Sequence, residues 1–360
     1  MKVSDLFIKC LENEGVKYIF GVPGEEILDL MDSLLSSSIK FIPTRHEQGA
    51  AFMADVYGRL TGKAGVCLAT LGPGATNLTT GVADANLDRA PLVAITGQSD
   101  LKKIHKESHQ YIDIVQNFSP ITKWNARITH GDVVPEVVRK AFLIAQTEKP
   151  GATHIEIAEN IAKSESHNKP LKVTPNPRFH PDHEDIEIAS KLIKNSNYPI
   201  ILGGNGIIRG RASKELIEFA KKNNIPVANT FMGKGIIPSN HRLYLSTVGL
   251  QAKDHVMCGF DLADLVITIG YDMVEYAPSF WNSLADKKII HIDTQRSEVD
   301  TYYVPDIELI GDIKSTLKIL IEKTGFKKDV EYIHYLKKTI EKEFEELKDD
   351  VSFPIKPQKV

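Results

Sequence analysis

The chain has 360 residues and a mass of 40.1 kDa, a length that exceeds one ordinary hydrophobic core and favours two domains. Hydrophobic residues make up 42% and charged residues 25%, the balance of a soluble globular protein without the long apolar runs of membrane-spanning helices. A formal net charge of −3 offers no basic surface for nucleic acid, and three widely spaced cysteines suggest neither a disulfide framework nor a zinc site.

Segments typical of strands and helices alternate along the first 165 residues. Acidic residues interrupt the first apolar stretch, so it is not a signal peptide, and we expect a cytoplasmic protein with neither membrane nor nucleic acid as partner. Ser4 is expected to cap the first helix. The alternation predicts an α/β fold with a doubly wound, mostly parallel sheet. The predicted strands cover residues 18–20, 41–42, 66–69, 92–95 and 154–157, with helices starting at Glu25, Glu47 and Ala75 and another over residues 134–147.

Two strand-to-helix loops carry the candidate functional residues of this half. In the first, residues 43–54, Glu47 stands at a predicted helix start, where a carboxylate is favoured by the helix dipole even without a function. We expect the apolar residues 50–54 to shelter this carboxyl from water. The second loop, residues 69–77, also follows an apolar strand. Loops at the carboxyl ends of parallel strands form the crevice where α/β sheets bind ligands.

A second α/β unit follows a stretch rich in Ser, His, Asn and Pro, which predicts an interdomain linker. Gly204 and Gly206 approach a dinucleotide fingerprint, but Arg209 occupies the third glycine position, so an ordinary tight turn is favoured. The predicted divisions are a first domain at 1–165, a linker at 166–185, a second domain at 186–345 and a lead-in segment at 346–360. The predicted elements are strands at 199–202, 265–269, 289–292 and 308–310, and helices at 186–193, 212–223, 314–323 and, after Asp329, to about Leu347.

Two sequence blocks occur in order after residues 20–24: Arg-His-Glu-Gln-Gly-Ala-Ala-x-Met-Ala at 45–54 and Gly-Pro-Gly-Ala-Thr-Asn at 72–77. With them the chain resembles the pyrimidine-binding and central domains of thiamine-diphosphate-dependent acetolactate synthases, in the large or catalytic subunit. That family has a third domain with a Gly-Asp-Gly signature, which binds the diphosphate through Mg²⁺. Here Gly-Asp pairs at 131–132 and 311–312 lack the following glycine. We therefore expect the third domain to be absent, no metal ligands in this chain, and the chain alone to be inactive.

The resemblance implies that Glu47 hydrogen-bonds N1′ of the cofactor's aminopyrimidine. The proton exchanged there promotes formation of the thiamine-diphosphate ylid, which attacks a 2-oxo acid. The implied reaction condenses two pyruvates to 2-acetolactate and CO₂, as in the acetoin pathway or branched-chain amino acid biosynthesis. The residues that match the family's cofactor cleft are Gly24, Glu47, Thr70, Gly72 and Asn77.

The His-Gln pair at 109–110 and the Ser-Pro-Ile-Thr-Lys block at 119–123 are similar to blocks of the same family. They imply that Gln110 is catalytic and contacts substrate, and that Lys123 binds substrate. His109 replaces the phenylalanine usual in biosynthetic members, which favours the catabolic branch. Residues 270–281 lack the arginines with which biosynthetic members hold flavin, so FAD is disfavoured as a cofactor. Residues 21–26 depart from the catabolic pattern, which leaves the subgroup open.

Two other functions stay open on the sequence. The chain is also compatible with another thiamine-diphosphate-dependent 2-oxo acid decarboxylase or oxidase, because the glutamate activates the cofactor without choosing the substrate. The third hypothesis is a non-catalytic scaffold or regulatory protein that keeps the fold without the diphosphate domain. By analogy with the family, we expect a homodimer or homotetramer.

Overall fold

The computed structural model describes residues 1–175, 177–249 and 255–356, and the chain divides into two compact units, residues 1–177 (unit 1) and 178–360 (unit 2). Each unit is an α/β layer structure built on its own sheet. In the described part of the chain, each sheet has six strands and every neighbouring pair is parallel. The predicted α/β fold with two parallel-sheet domains is therefore confirmed.

Unit 1 contains the predicted crevice. Its strands are β1 (Tyr18–Gly21), β2 (Lys40–Pro43), β3 (Gly65–Ala69), β4 (Leu92–Gln98), β5 (Trp124–Ile128) and β6 (Ala152–Ala158). Its helices are α1 (Val3–Asn13), α2 (Leu28–Leu34), α3 (Glu47–Thr61), α4 (Pro73–Leu87), α5 (Ile114–Phe118), α6 (Val134–Gln146) and α7 (Glu159–Lys163). The strand order is β2-β1-β3-β4-β6-β5, which places the fully buried strands β3, β4 and β6 in the interior.

The two faces of the unit 1 sheet differ in side-chain size. Successive strand residues point to opposite faces, so Val66 of β3 packs with the layer of α1, α2 and α6, while Cys67 packs with the layer of α3 and α4. Large residues such as Phe7 and Phe142 fill the first layer. The second layer is built mostly from alanines, which allow α3 and α4 to approach the sheet and each other closely.

Unit 2 repeats the architecture with the strand order β12-β11-β10-β7-β8-β9. Its strands are β7 (Pro199–Gly203), β8 (Val227–Asn229), β9 (Tyr244–Thr247), β10 (Leu265–Ile269), β11 (Lys288–Asp293) and β12 (Ile307–Ile310). Its helices are α8 (His183–Asn195), α9 (Asn205–Arg209), α10 (Ser213–Asn223), α11 (His255–Leu262), α12 (Pro278–Trp281), α13 (Ile313–Lys323) and α14 (Glu331–Lys348). A Cβ at Gly204 would lie 2.3 Å from the Gly270 oxygen, so the glycines after β7 serve close packing of two turns.

Every strand predicted from the sequence is present, with the same or slightly wider bounds. The sequence failed to indicate β5, β8 and β9, which lie at or next to sheet edges and lack a long apolar run. The capping role expected for Ser4 is wrong. The helix begins at Val3 after Lys2, and the buried Ser4 hydroxyl accepts a hydrogen bond from Ser33 Oγ at 2.9 Å.

The predicted boundaries around the linker and the tail stay predictions. Helix α8 begins at His183, within the stretch expected to be linker, and α14 extends to Lys348. Residues 357–360 of the expected lead-in segment lie outside the described residues. None of the helices that the structure describes is long and apolar enough to cross a membrane.

One buried histidine links the stability of unit 1 to pH. His154 on β6 is fully buried, its Nε2 lies 2.8 Å from Thr96 Oγ1, and its ring stacks on Phe118 with centroids 4.2 Å apart. Burial lowers the pKa of His154 from 6.5 to about 3. An unfolded chain takes up this proton near its ordinary pKa, so the folded state loses up to about 1.4 kcal/mol per pH unit as pH falls through this window.

We predict that His154→Gln will weaken the acid sensitivity of folding. Glutamine binds no proton, so the free energy of unfolding should fall less steeply between pH 6.5 and about 3 than in the wild-type protein. Denaturant titrations at several pH values measure this slope. His167→Gln, at an exposed position, is the control and should keep the wild-type slope. An unchanged slope in His154→Gln would show that this imidazole does not limit acid stability.

Candidate functional site

Three turns that connect strands to helices meet at the carboxyl edge of the unit 1 sheet. They follow β1, β2 and β3, which are neighbours because β1 pairs with both of the others. The turns contain Gly24, Glu47 and Gly72. Since the carboxyl ends of parallel strands lie at one edge, these residues face a common crevice. This is the place that the sequence predicted for ligand binding.

Glu47 is the first residue of α3, directly after the N-cap residue His46. Its Oε2 accepts a hydrogen bond from Asn77 Nδ2 at 3.0 Å, whereas Oε1 has no hydrogen-bond partner among the residues that the structure describes. The side chain is half-buried, and Met53, in the apolar segment expected to shelter it, points outward with 42% of its surface exposed. The apolar segment therefore shelters the carboxyl less than the sequence suggested. One oxygen is fixed by an amide and the other is available to a ligand.

The bond between Glu47 and Asn77 depends on a close approach of their helices. A Cβ placed at Gly81 of α4 would lie only 2.6 Å from the Cβ of Ala51 of α3. Ala50 and Ala54 are completely buried on the same side. Because only small residues fill this contact, α3 and α4 lie close enough for side chains near their N-termini to meet.

The turn before α4 also requires glycines. Gly72 has φ +54°, and a Cβ there would lie 2.4 Å from the backbone oxygen of Gln110. A Cβ at Gly74 would lie 2.8 Å from Thr70 Cγ2 and 3.4 Å from Glu47 Oε1. The predicted residues Thr70, Gly72 and Glu47 therefore lie close together, and Gln110 contacts the same turn through its backbone. The Gln110 side chain itself is exposed.

A carboxylate that the sequence reasoning missed lies beside Thr70. Thr70 Oγ1 donates a hydrogen bond to Glu26 Oε2 at 2.6 Å. A Cβ at Gly24 would lie 2.5 Å from Thr70 Cβ, so the turns after β1 and β3 touch. The signal that could have indicated Glu26 is its position two residues after the Gly24 turn, at the start of a short 3₁₀ helix, Glu25–Ile27.

Lys123 is the predicted site residue that the structure does not bring to the crevice. It precedes β5 and therefore lies at the amino edge of the parallel sheet, whereas the other residues lie at the carboxyl edge. Its Nζ donates hydrogen bonds to the carbonyl oxygens of Ile144, Thr147 and Lys149 at 2.7 to 2.9 Å. These carbonyls end α6, so within this chain the ammonium group caps a helix.

Comparison with known proteins identifies the family of both units. The family model "Thiamine pyrophosphate enzyme, N-terminal TPP binding domain" matches residues 1–117, which include all three turns of the crevice. The model "Thiamine pyrophosphate enzyme, central domain" matches residues 186–320 in unit 2. The chain belongs to the thiamine pyrophosphate enzyme family.

Similar proteins of this family carry acetolactate synthase names. A probable acetolactate synthase large subunit of Methanocaldococcus jannaschii is 40% identical over 338 residues, covering 89% of this chain and 56% of that protein. One from Methanococcus aeolicus is 38% identical over 385 residues, covering 100% and 63%. The catabolic acetolactate synthase of Raoultella terrigena is 39% identical over 326 residues, covering 89% and 57%. The chain thus spans between 56% and 63% of the length of these relatives.

We predict that Gly72→Ala will loosen the loop that carries Gln110. The added Cβ meets the Gln110 carbonyl and also strains the positive φ, so a loss of about 2–4 kcal/mol in unfolding free energy is expected. Gly62→Ala is the matched control, because Gly62 has φ +69° but open space around its Cβ position. It should lose only the conformational cost of about 1–2 kcal/mol.

Denaturant unfolding gives the two free energies, and the rate of tryptic cleavage at Lys102, Lys103 and Lys106 reports the loop. Faster cleavage should appear in Gly72→Ala alone. If both variants behave alike in both measurements, then the contact between Gly72 and Gln110 does not hold the loop.

Proposed function

We propose that this chain supplies the pyrimidine-binding and central domains of an acetolactate synthase, which condenses two pyruvates to 2-acetolactate and CO₂. The observation that carries the proposal is the Glu47 carboxylate, oriented by Asn77 in a crevice of a thiamine pyrophosphate enzyme domain. The proposal is further supported by relatives at 38 to 40% identity that are named acetolactate synthase.

The crevice residues fit the aminopyrimidine of thiamine diphosphate. Glu47 Oε1 has no hydrogen-bond partner among the described residues, and glycine at position 74, where a Cβ would lie 3.4 Å from Oε1, keeps a side chain out of that approach. When bound, this cofactor supplies the nucleophilic carbon that adds to a 2-oxo acid and accepts the electron pair left by CO₂. Thr70 and Gly24 line the crevice on the side of β1 and β3.

Glu47 holds and moves a proton at N1′ of the pyrimidine in the proposed reaction. The Asn77 amide donates to Oε2 and so fixes the plane of the carboxylate, which leaves Oε1 as the oxygen that exchanges the proton. An amide suits this task because it orients the carboxylate without competing for the proton. The close contact of α3 and α4 keeps both side chains in register.

Gln110 is the proposed residue for the step that follows decarboxylation. Its backbone lies against Gly72, at the same crevice as Glu47. A neutral amide can hydrogen-bond the acceptor's carbonyl without supplying an acidic proton, so it would favour carbon–carbon bond formation over protonation. This role requires the exposed Gln110 side chain to turn into the crevice when substrate is present.

We further propose that Mg²⁺ binds through a diphosphate-binding domain and that FAD is not required. The flavin proposal is supported by unit 2, where Tyr271 and Trp281 are buried against Tyr303. Arg209, which is close to this segment, lies 3.4 Å from Asp272 in an ion pair. Buried aromatic rings fill that turn, and the arginine beside it already has a carboxylate partner in Asp272, which a flavin diphosphate would have to displace.

Assembly as a homodimer or homotetramer is part of the same proposal. Met53, Val56 and Leu60 of α3 form an exposed apolar stripe, with Leu60 exposed to 81%. Their spacing of three and four residues places them on one helix face, and such a stripe on a soluble protein is typical of a protein–protein interface. Sedimentation of the purified protein measures the number of subunits.

We predict that Glu47→Gln will slow proton exchange at the reactive carbon of thiamine diphosphate by a factor between about 10² and 10⁴. An amide keeps the hydrogen-bonding shape but cannot pass the proton, so cofactor affinity should change much less. Nuclear magnetic resonance measures the exchange in the enzyme assembled with a diphosphate-binding domain. Glu25→Gln, a change of an exposed carboxylate in the neighbouring turn, should leave the exchange rate unaltered. Wild-type exchange in Glu47→Gln would remove Glu47 from this role.

We predict that Gln110→Ala will shift the products from acetolactate towards acetaldehyde. Carbon–carbon bond formation should slow while CO₂ release continues, because the amide acts only after decarboxylation. Measuring acetolactate, acetaldehyde and CO₂ from pyruvate gives the partition. His109→Ala, at the neighbouring exposed position, is the control and should keep the wild-type ratio. An unchanged ratio in Gln110→Ala would show that Gln110 does not control the fate of the intermediate.

A further inference from the structure

A buried ion pair in unit 1 has no part in the chemistry proposed above. Glu156 lies in the middle of β6, its side chain is completely buried, and it accepts a hydrogen bond from Arg127 Nε of the neighbouring strand β5. The guanidinium is also largely buried, with 20% of the side chain exposed. Two charges withdrawn from water in this way rarely add to stability, and apolar residues of similar volume often do as well.

The pair is connected to the loop that carries Gln110. Gln98, the last residue of β4, donates from Nε2 to Glu156 Oε2 at 3.0 Å and to the backbone oxygen of Ile112 at 3.1 Å. On the other side, Arg127 NH2 lies 3.7 Å from Asp113 Oδ1, in ion-pair range. The ion pair therefore reaches two consecutive residues, Ile112 and Asp113, which follow Gln110 closely in the chain.

The loop, residues 99–113, is fixed at both ends and exposed between them. Near its start, the Leu101 amide donates to Asn160 Oδ1 at 3.1 Å. Beyond its end, Asn125 Nδ2 donates to the Val115 oxygen at 2.6 Å and attaches α5 to β5. Residues 105–107 in the middle are exposed. Gln110 lies two residues before Ile112, whose oxygen is held by Gln98. The position of Ile112 therefore restricts the position of Gln110.

Gln110 itself adopts a conformation that needs support. Its φ is +51°, in the left-handed region that non-glycine residues rarely occupy. Such a backbone persists only where its surroundings determine it, and it is common at functional sites. Gly72 contacts Gln110 on one side, and the chain reaches Ile112 only two residues later. A shift at Ile112 is therefore transmitted to Gln110 through a very short tether.

We propose that Arg127, Glu156 and Gln98 are positioning residues, which hold Ile112 and Asp113 so that Gln110 is fixed at the crevice. The proposal rests on the proposed function only for the role of Gln110. The ion pair stabilises one position of the loop relative to others. Because burying its charges costs free energy, it selects this loop conformation without adding to the free energy of unfolding of the whole unit.

The test compares two double variants of the whole chain that carry the same substitutions. Arg127→Met with Glu156→Gln removes both charges of the anchor without leaving one buried and unpaired. Arg139→Met with Glu14→Gln is the matched control, because that ion pair is also buried in unit 1, with NH1 and Oε2 2.7 Å apart and side chains exposed to 13% and 3%. Among the described residues, the hydrogen bonds and ion pair of the control residues do not involve the loop.

Hydrogen exchange of the loop amides and tryptic cleavage at its lysines are measured without cofactor. The anchor variant should exchange at least about tenfold faster over residues 104–113 than the control variant at equal global stability. Gln98→Met, which breaks the bond to the Ile112 oxygen and keeps the ion pair, provides a second variant if the double variant fails to fold. It should also loosen the loop. Equal loop exchange in the anchor and control variants would overturn the proposal.

The ratio of acetolactate to acetaldehyde distinguishes residues that position Gln110 from residues with a purely structural role. In the enzyme assembled with a diphosphate-binding domain, the anchor variant should shift products from acetolactate to acetaldehyde while the control variant keeps the wild-type ratio. A loosened loop with an unchanged ratio would overturn the assignment of these residues to Gln110. A wild-type enzyme that forms no acetolactate would refute the proposed function alone, because the exchange comparison needs neither cofactor nor substrate.

Discussion

The close contact between α3 and α4 is the constraint on which the crevice depends. Gly81 and Ala51 let the two helices approach until a Cβ at Gly81 would lie 2.6 Å from that of Ala51. At this separation the Asn77 amide reaches Glu47, since both side chains lie near the N-termini of their helices. A larger residue in the contact would have to move a whole helix, because packed interiors hold no spare volume. The position of the Glu47 carboxylate thus depends on residues whose side chains carry no polar group.

Polar residues at the crevice are held in pairs rather than singly. Asn77 holds Glu47, Thr70 holds Glu26, and the ion pair of Arg127 and Glu156 reaches the loop through Gln98. Each pair joins elements that are distant in sequence, so the turns after different strands are locked to one another. This locking suits a site that must keep atoms in place while a ligand enters and leaves.

The sequence was sufficient to predict the α/β fold, because buried parallel strands are continuous apolar runs. The apolar runs of β3, β4 and β6 are recognisable in the sequence. It failed for β5, whose Trp-Asn-Ala-Arg-Ile sequence is half-buried and mixed in character. The position of Glu47 at a helix start was predicted correctly from the local pattern. Glu26 and Glu156 were missed because Thr70 is 44 residues from Glu26, and Arg127 and Gln98 are 29 and 58 residues from Glu156, so only the folded chain brings them together. The amino-edge location of Lys123 likewise follows from strand direction, which a motif does not encode.

The middle of the loop at residues 99–113 is separate from the contacts that attach the loop to the rest of unit 1. Its frame is set by Asn160 at one end and by Gln98 at the other, while the residues between them contribute little to the core. Evolution or engineering can therefore exchange the middle of the loop, in length or in charge, without rebuilding the sheet. Under the proposed function, such an exchange would alter the acceptor that the crevice admits and would leave Glu47 and Asn77 in place.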